Sequence, residues 1–300
     1  MNQPQTTQTV DDPIVGLVAG WGEYPVEVAR RLKALNKRVC CVALAGHADE
    51  RLRELCDVYR VFGLGRMGSQ TRFLRRHGVR QATMAGKVFK TRLMEKFWFV
   101  RHFPDWLFIK YFYRQYIAKV ENRNDDAMLL AVTRLYQDQG IEFVPATNFV
   151  PELLVKKGLL TKRALTTAQQ KDIQYGWELA KAMGQLDVGQ SVAVKGRAVL
   201  AVEAIEGTDE CIRRAGQLCS AGGFTVVKVA KPQQDLRFDM PTVGLGTIRM
   251  MHEAGAKVLA IEANMTIMLR QTEVIDLADQ LGITIVSFAA ADMENRSAAA

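Results

Sequence analysis

Carboxylates, cations and small polar side chains crowd into three stretches of this 300-residue chain: Leu186-Asp187-Val188-Gly189-Gln190, Glu203-Ala204-Ile205-Glu206-Gly207-Thr208-Asp209, and Lys231 through Pro241. Oxygen ligands for a hard cation, set beside cationic groups for phosphate oxygens, are what metal-assisted attack of water on a phosphate requires. Glu206, Asp209, Asp235 and Asp239 supply the carboxylates, and Arg213, Arg214, Lys231 and Arg237 are candidates to bind a pyrophosphate. Gln190, Thr208 and Gln234 add neutral polar groups to line the pocket.

Asp235 and Asp239 are four residues apart. Extended chain would put them roughly 13 Å apart, too far to share a metal. A helical turn would bring them to about 5–6 Å. Pro232 and Pro241 bracket the segment and favour an irregular loop, so spacing leaves the geometry open. Asp239, just before Met240-Pro241, is the sharper candidate to hold metal or orient the attacking water. Asp235 equally suits a salt bridge to Arg237 or Lys231 that fixes the loop, and Asp209 suits ordinary helix-end electrostatics.

Strands must position these groups, and each stretch is expected at a strand end, where loops converge in α/β sheets. The segment VAVKGRAVLAVEAI has the pattern of a hairpin closed at Lys195-Gly196-Arg197. A helix after Thr208, the strand FTVVKVA, a helix near Thr247 to Ala254, the strand KVLAIEA and a final strand near ITIVSF follow.

In the first half, the apolar runs IVGLVA, RVCCVALA and VYRVF alternate with amphipathic stretches such as YPVEVARRLKALN, which implies a parallel sheet covered by helices. Asp125 to Gln139 is expected as a helix, ended by Gly140 and followed by a short strand in IEFVP. The fold class is therefore α/β, with an N-terminal Rossmann-like parallel-sheet domain over 14–146 and a C-terminal α/β domain carrying the acidic site over 147–290.

Two glycine-rich turns invite phosphate. Gly20 and Gly22 join the first strand to the first helix, where backbone N–H groups and a helix N-terminus suit an anion, though a purely structural turn has the same sequence. Gly63-Leu64-Gly65-Arg66-Met67-Gly68 spells GxGxxG, but after the third strand and without the acidic ribose partner of a dinucleotide fold. An NAD(P)-binding oxidoreductase is thus a rival reading.

Between Phe89 and Tyr116 lie 11 of the 24 aromatic residues, interleaved with Lys90, Arg92, Lys96, Arg101, Lys110 and Arg114. Aromatics meeting lipid beside cations meeting phosphate headgroups would explain the pattern, as would an aromatic helix pair with solvent-facing cations. The 40 Lys+Arg against 32 Asp+Glu leave a net charge of +8, which favours acidic partners. A basic RNA- or lipid-binding protein without catalysis is the second rival. RNA is disfavoured because no RNP-like strand pattern accompanies the aromatics, so no nucleic-acid partner is expected.

The five cysteines lack a CxxC, and the four histidines form no HExxH, so zinc and disulfides are not expected. No run approaches roughly 18 uninterrupted apolar residues, and the polar start lacks a signal-peptide pattern, so a cytoplasmic protein is expected.

The chain resembles the LpxI-type UDP-2,3-diacylglucosamine pyrophosphatases of lipid A biosynthesis. The resemblance runs over about Ile14 to Phe288, through GLVAGWGEYP, GLGRMG, MAGKVFK, NDDAMLLAV, LDVGQSVAV, AVEAIEGTDECIRRAG, KVAKPQQDLRFDMPTVGLGTI and IEAN. It implies Mg²⁺-dependent hydrolysis to UMP and 2,3-diacylglucosamine 1-phosphate, with water attacking the sugar-side phosphorus and the DxP aspartate, Asp239, essential. It also implies peripheral association with the inner membrane, where the amphiphilic substrate is made, and a substrate chamber formed by the two domains. A homodimer stays open. The family often has proline and arginine after the AGxV segment, whereas this chain continues from Gly86-Lys87-Val88 to Phe89-Lys90, which weakens the assignment of Gly86 and Lys87 to substrate.

Overall fold

The computed structural model describes residues 14–88, 104–116, 125–233, 235–238 and 240–293. The chain divides into two compact units, the first ending at Val150 and the second starting at Pro151.

In the first unit the order is β1 (Val15–Ala19), α1 (Glu23–Ala34), β2 (Val39–Leu44), α2 (Leu52–Leu55), β3 (Val58–Phe62), α3 (Met67–Arg76), β4 (Gln81–Ala85), α4 (Trp106–Tyr116), α5 (Asp125–Asp138) and β5 (Glu142–Phe143). Among the described residues the strands form one parallel sheet in the order β3-β2-β1-β4-β5. β1 and β2 are buried along their whole length, which is why they are continuous apolar runs rather than alternating ones. The order reverses between β1 and β4, the place where ligands of doubly wound folds bind. The expected Rossmann-like arrangement is present.

The second unit runs β6 (Gly158–Leu159), α6 (Thr167–Gln185), β7 (Ser191–Lys195), β8 (Ala198–Val202), α7 (Thr208–Leu218), β9 (Thr225–Lys228), β10 (Thr242–Val243), α8 (Leu245–Ala254), β11 (Val258–Glu262), β12 (Ile267–Met268), α9 (Gln271–Gln280) and β13 (Thr284–Phe288). Its main sheet has the order β6-β13-β11-β9-β7-β8. β9, β11 and β13 are parallel, β7 is antiparallel to β9, and β8 is antiparallel to β7 in the expected hairpin.

This mixed topology decides where the chemistry gathers. Because β7 runs against β9, Ser191 at its start pairs with Lys228 at the end of β9. The start of β7 therefore shares one sheet edge with the carboxyl ends of β8, β9, β11 and β13. The stretch Leu186 to Gln190 departs from the expectation of a strand end. It follows the C-terminus of α6 and leads into β7, and it reaches the common edge because β7 is inverted.

The longest helix among the described residues, α6, covers one face of this sheet, with Ile173, Trp177, Ala180 and Met183 packed on Val192, Val194, Val227 and Val258. Apolar periodicity does not single it out. Its start is nevertheless written in the chain: Thr166 accepts from the Gln169 N–H while the Gln169 side chain accepts from the Thr166 N–H, a capping box. On the opposite face α7, α8 and α9 bury Ile212, Ile248, Met251 and Val274 with Leu259 and Ile285.

Four of the five cysteines are buried, and burial together with nearby Cys56 pushes the Cys40 thiol up to about 12. Among the described residues no helix is long and apolar enough to cross a membrane.

Candidate functional site

Three buried or half-buried polar side chains meet at the carboxyl edge of the second unit's sheet. Thr208, the first residue of α7, donates its hydroxyl to Glu203 Oε1 at 2.9 Å and accepts from Lys228 Nζ at 2.9 Å. Glu203 and Lys228 are only 7% and 6% exposed, so a carboxylate and an ammonium are held out of water and joined through one hydroxyl. Their placement follows from local chain geometry: Glu203 is the residue after β8, Thr208 follows the positive-φ Gly207 at the start of α7, and Lys228 ends β9.

Around this core lie acceptors without partners. Glu203 Oε2, Gln190 Oε1 and Ser191 Oγ are buried and accept no hydrogen bond among the described residues. They are neighbours in the sheet, since the Glu203 N–H donates to Ser191 O and the Val229 N–H donates to Gln190 O. An orphaned buried acceptor costs about 1–3 kcal/mol, which a bound donor or cation would recover. Gly189 lets the chain approach this closely, because a Cβ there would fall 2.0 Å from the Glu203 carbonyl oxygen.

The loop leaving β9 is gripped at its root. Lys181 Nζ donates to Ala230 O at 3.0 Å and to Glu262 Oε2 at 2.8 Å, while Glu262 Oε2 accepts from the Ala230 N–H at 2.8 Å. Beyond this point Lys231 pairs with Asp187 at 2.7 Å, and Arg237 pairs with Asp235 at 2.5 Å. The Arg237 hydrogen bonds hold the Asp235 carboxyl below its usual range. Of the two salt bridges left open for Asp235, the structure thus makes the one to Arg237. Gln234 and Asp239 lie outside the described residues.

The remaining candidates are distributed around the start of α7. Arg214 donates to Glu206 and to Val202 O. Glu206 also accepts from the Ala204 N–H, and its own backbone N–H, foremost, and Arg214 hold its carboxyl below the ordinary range. Arg213 pairs with Glu210 on the exposed helix surface, and Asp209 is exposed. Sequence reasoning included Glu203 in an acidic stretch without assigning it a role, and it passed over Lys228, which a strand-ending lysine in an apolar run could have flagged.

In the first unit Gly20 and Gly86 press together at the β1/β4 reversal. A Cβ on Gly20 would lie 2.7 Å from Lys87 O, and one on Gly86, at φ 92°, would lie 2.8 Å from Trp21 O. The N–H groups of Gly20, Trp21 and Lys87 are all spent on backbone carbonyls, which leaves the open Gly22 turn at the head of α1 as the phosphate-accessible part. At GxGxxG the Asp105 carboxylate accepts from the Ser69 N–H at 3.0 Å and packs where a Gly68 Cβ would sit. A fixed carboxylate therefore takes up a backbone N–H at the helix N-terminus that the pyrophosphate of a dinucleotide would use, which argues against the oxidoreductase reading.

Of the aromatic stretch, Phe89 to Phe103 lies outside the described residues. In the part described, Trp106 is 77% exposed, Phe112 is buried, and Phe108 stacks on Phe112 with ring centroids 4.6 Å apart.

Comparison with known proteins matches residues 14–153 to the family description "LpxI N-terminal domain" and residues 156–286 to "LpxI C-terminal domain". A relative from Caulobacter vibrioides, "UDP-2,3-diacylglucosamine pyrophosphatase LpxI", is 31% identical over 281 residues, covering 91% of this chain and 96% of that protein. Two matching domain descriptions in the right order, and a relative aligned over nearly its whole length, establish that the chain belongs to the LpxI family.

Proposed function

We propose that the chain hydrolyses the pyrophosphate bond of UDP-2,3-diacylglucosamine to UMP and 2,3-diacylglucosamine 1-phosphate, with the Glu203–Thr208–Lys228 network and Asp239 as its chemical centre. The observation that carries this reading is a buried ammonium and a buried carboxylate joined through Thr208, beside unpartnered oxygen acceptors at the sheet's carboxyl edge. A fixed cation in a site of low dielectric stabilises the charge that develops on a phosphoryl group under attack. Lys228 supplies it, and Thr208 and Glu203 hold its ammonium in place.

Mg²⁺ keeps several waters and is commonly bound by one or two carboxylates together with substrate phosphates. Among the described residues no group of three His, Cys, Asp or Glu side chains is placed to cage a metal. An open site of the Mg²⁺ kind fits better, because Glu203 Oε2 and Gln190 Oε1 are hard oxygen donors without partners. In this reading Glu203 and Asp239 would hold the ion, which when bound neutralises charge on the pyrophosphate. Glu206 is drawn away toward Arg214. Association with the inner-membrane surface follows in this reading from the diacyl chains of the substrate.

The test is release of UMP from the substrate in detergent micelles with Mg²⁺, for wild type, Asp239→Ala and Lys228→Met. Turnover by the wild type that is lost in both folded variants supports the assignment, and absence of wild-type turnover overturns it.

A further inference from the structure

A cleft of about 600 Å³ opens in the first unit beside the edge strand β3. Its walls include Ala45 and Gly46 after β2, Gly63 after β3, and four arginines: Arg60, Arg66, Arg72 and Arg76. Arg72 and Arg76, four residues apart, share one face of α3, and Arg66 stands at its N-terminal end, just before Met67. Arg60 reaches the cleft from β3 and lies over the Phe62 ring at 5.4 Å. Among the described residues no Asp or Glu lines the cleft.

The four arginines are exposed, and together they give the cleft a positive potential that attracts anions. Several other arginines are paired, Arg30 and Arg31 with Glu27, Arg51 with Glu23 and Asp49, and Arg270 with Glu273. Among the described residues none of the four cleft arginines has a carboxylate partner, and the one side-chain hydrogen bond among them is from Arg72 to Ser69 Oγ at 3.2 Å. Asp105, the carboxylate packed at the start of α3, is committed to the N–H groups of Ser69 and Phe108. The cleft also lies beyond the carboxyl ends of β2 and β3, on the side of the sheet where α/β ligands bind. Its volume falls within the range of small-molecule sites.

We infer that this cleft binds a phosphorylated anion through Arg60, Arg66, Arg72 and Arg76. The guanidinium fork matches phosphate oxygens in pairs, and several forks around one cleft suit a ligand carrying more than one phosphate charge. The inference does not rest on the hydrolase reading, since it uses residues of the first unit alone.

The experiment titrates inorganic pyrophosphate calorimetrically into the full-length chain, at low and at physiological salt. It compares wild type, Arg72→Glu and Arg75→Glu, the last making the same charge change on the same helix outside the cleft lining. The wild type should bind, more weakly as salt rises. Arg72→Glu should weaken binding by roughly tenfold or more, and Arg75→Glu should stay within about twofold. Arg60→Gln, which leaves α3 untouched, repeats the test should Arg72→Glu unfold by circular dichroism. Flotation with phosphatidylcholine vesicles, with and without phosphatidylglycerol, forms the second arm. Arg72-dependent flotation without pyrophosphate binding assigns the phosphate to a lipid headgroup, and Arg72-dependent pyrophosphate binding assigns it to a soluble ligand. Equal losses in Arg72→Glu and Arg75→Glu, or no binding of either probe by the wild type, overturn the inference.

Discussion

Lys181 and Glu262, on α6 and at the end of β11, form an ion pair at 2.8 Å that also holds both polar groups of the Ala230 peptide link: the ammonium binds Ala230 O and the carboxylate binds Ala230 N–H. Glu262 is 3% exposed, so water cannot readily take this partner's place. The loop carrying Asp235 and Asp239 starts from a fixed root as a result.

Replacing Lys181 by Met leaves a buried carboxylate without its ion-pair partner. We expect a loss of about 3 kcal/mol in unfolding free energy, read from urea titration, with Lys181→Arg losing clearly less. Preserved stability in Lys181→Met would show that the pair does not anchor the loop.

Thr208→Val removes the hydroxyl between Glu203 and Lys228 while keeping the side-chain shape. The expected outcome is a fall in kcat for UMP release by roughly 10²-fold, the scale seen when one positioned donor is lost from a charge-stabilising site. Thr208→Ser should retain most activity because it restores the hydroxyl. Equal activity of the Val and Ser variants would remove the hydroxyl from the mechanism.

Gly189→Ala would drive a Cβ to 2.0 Å from the Glu203 carbonyl oxygen. Overpacking against backbone of this kind costs about 1–3 kcal/mol. The melting temperature should fall, and UMP release should fall with it because the Gln190–Glu203 neighbourhood moves. An unchanged melting temperature would mean that the two segments separate easily.

Arg237 lowers the Asp235 carboxyl through hydrogen bonds, so folding favours the ionised form. The stabilisation is present above the unfolded value of about 3.9 and is lost as pH falls through the lower folded value. The pair is partly exposed, which limits the effect to less than about 1 kcal/mol. Wild type should therefore be slightly more stable than Asp235→Asn at pH 5–7, and the difference should begin to shrink near pH 4 and vanish once pH falls below the lowered folded value. A difference that grows in acid would reverse the assignment.

Asp239→Asn separates ligand from base. Loss of a metal ligand should weaken Mg²⁺ affinity measured by titration, whereas loss of a base should leave affinity largely intact and abolish turnover.

Local sequence was enough for the alternation of strand and helix in both halves, for the hairpin turning at Lys195 to Arg197, and for the irregular loop between Pro232 and Pro241. Each depends on near neighbours: apolar period, a positive-φ glycine or arginine in the turn, and prolines that cannot join a ladder. The Thr166–Gln169 capping box shows that the start of α6 was also written locally, even though the mixed face of that helix gave no clean period.

What the chain could not reveal in one dimension is which carboxylate stays unpaired and which cation is buried. Glu206 and Lys231 are equivalent by type to Glu203 and Lys228, yet Glu206 is paired with Arg214 and Lys231 with Asp187. Glu203 keeps one free oxygen because β7 runs against β9 and sets Ser191 opposite Lys228, beneath the head of α7. Lys228 and Thr208 are 20 residues apart in the chain, and Lys181 and Glu262 are 81 apart, so these contacts arise from strand order and direction. Burial then separates the residues further, since an ionised group inside the fold must find a partner that a surface group can replace with water.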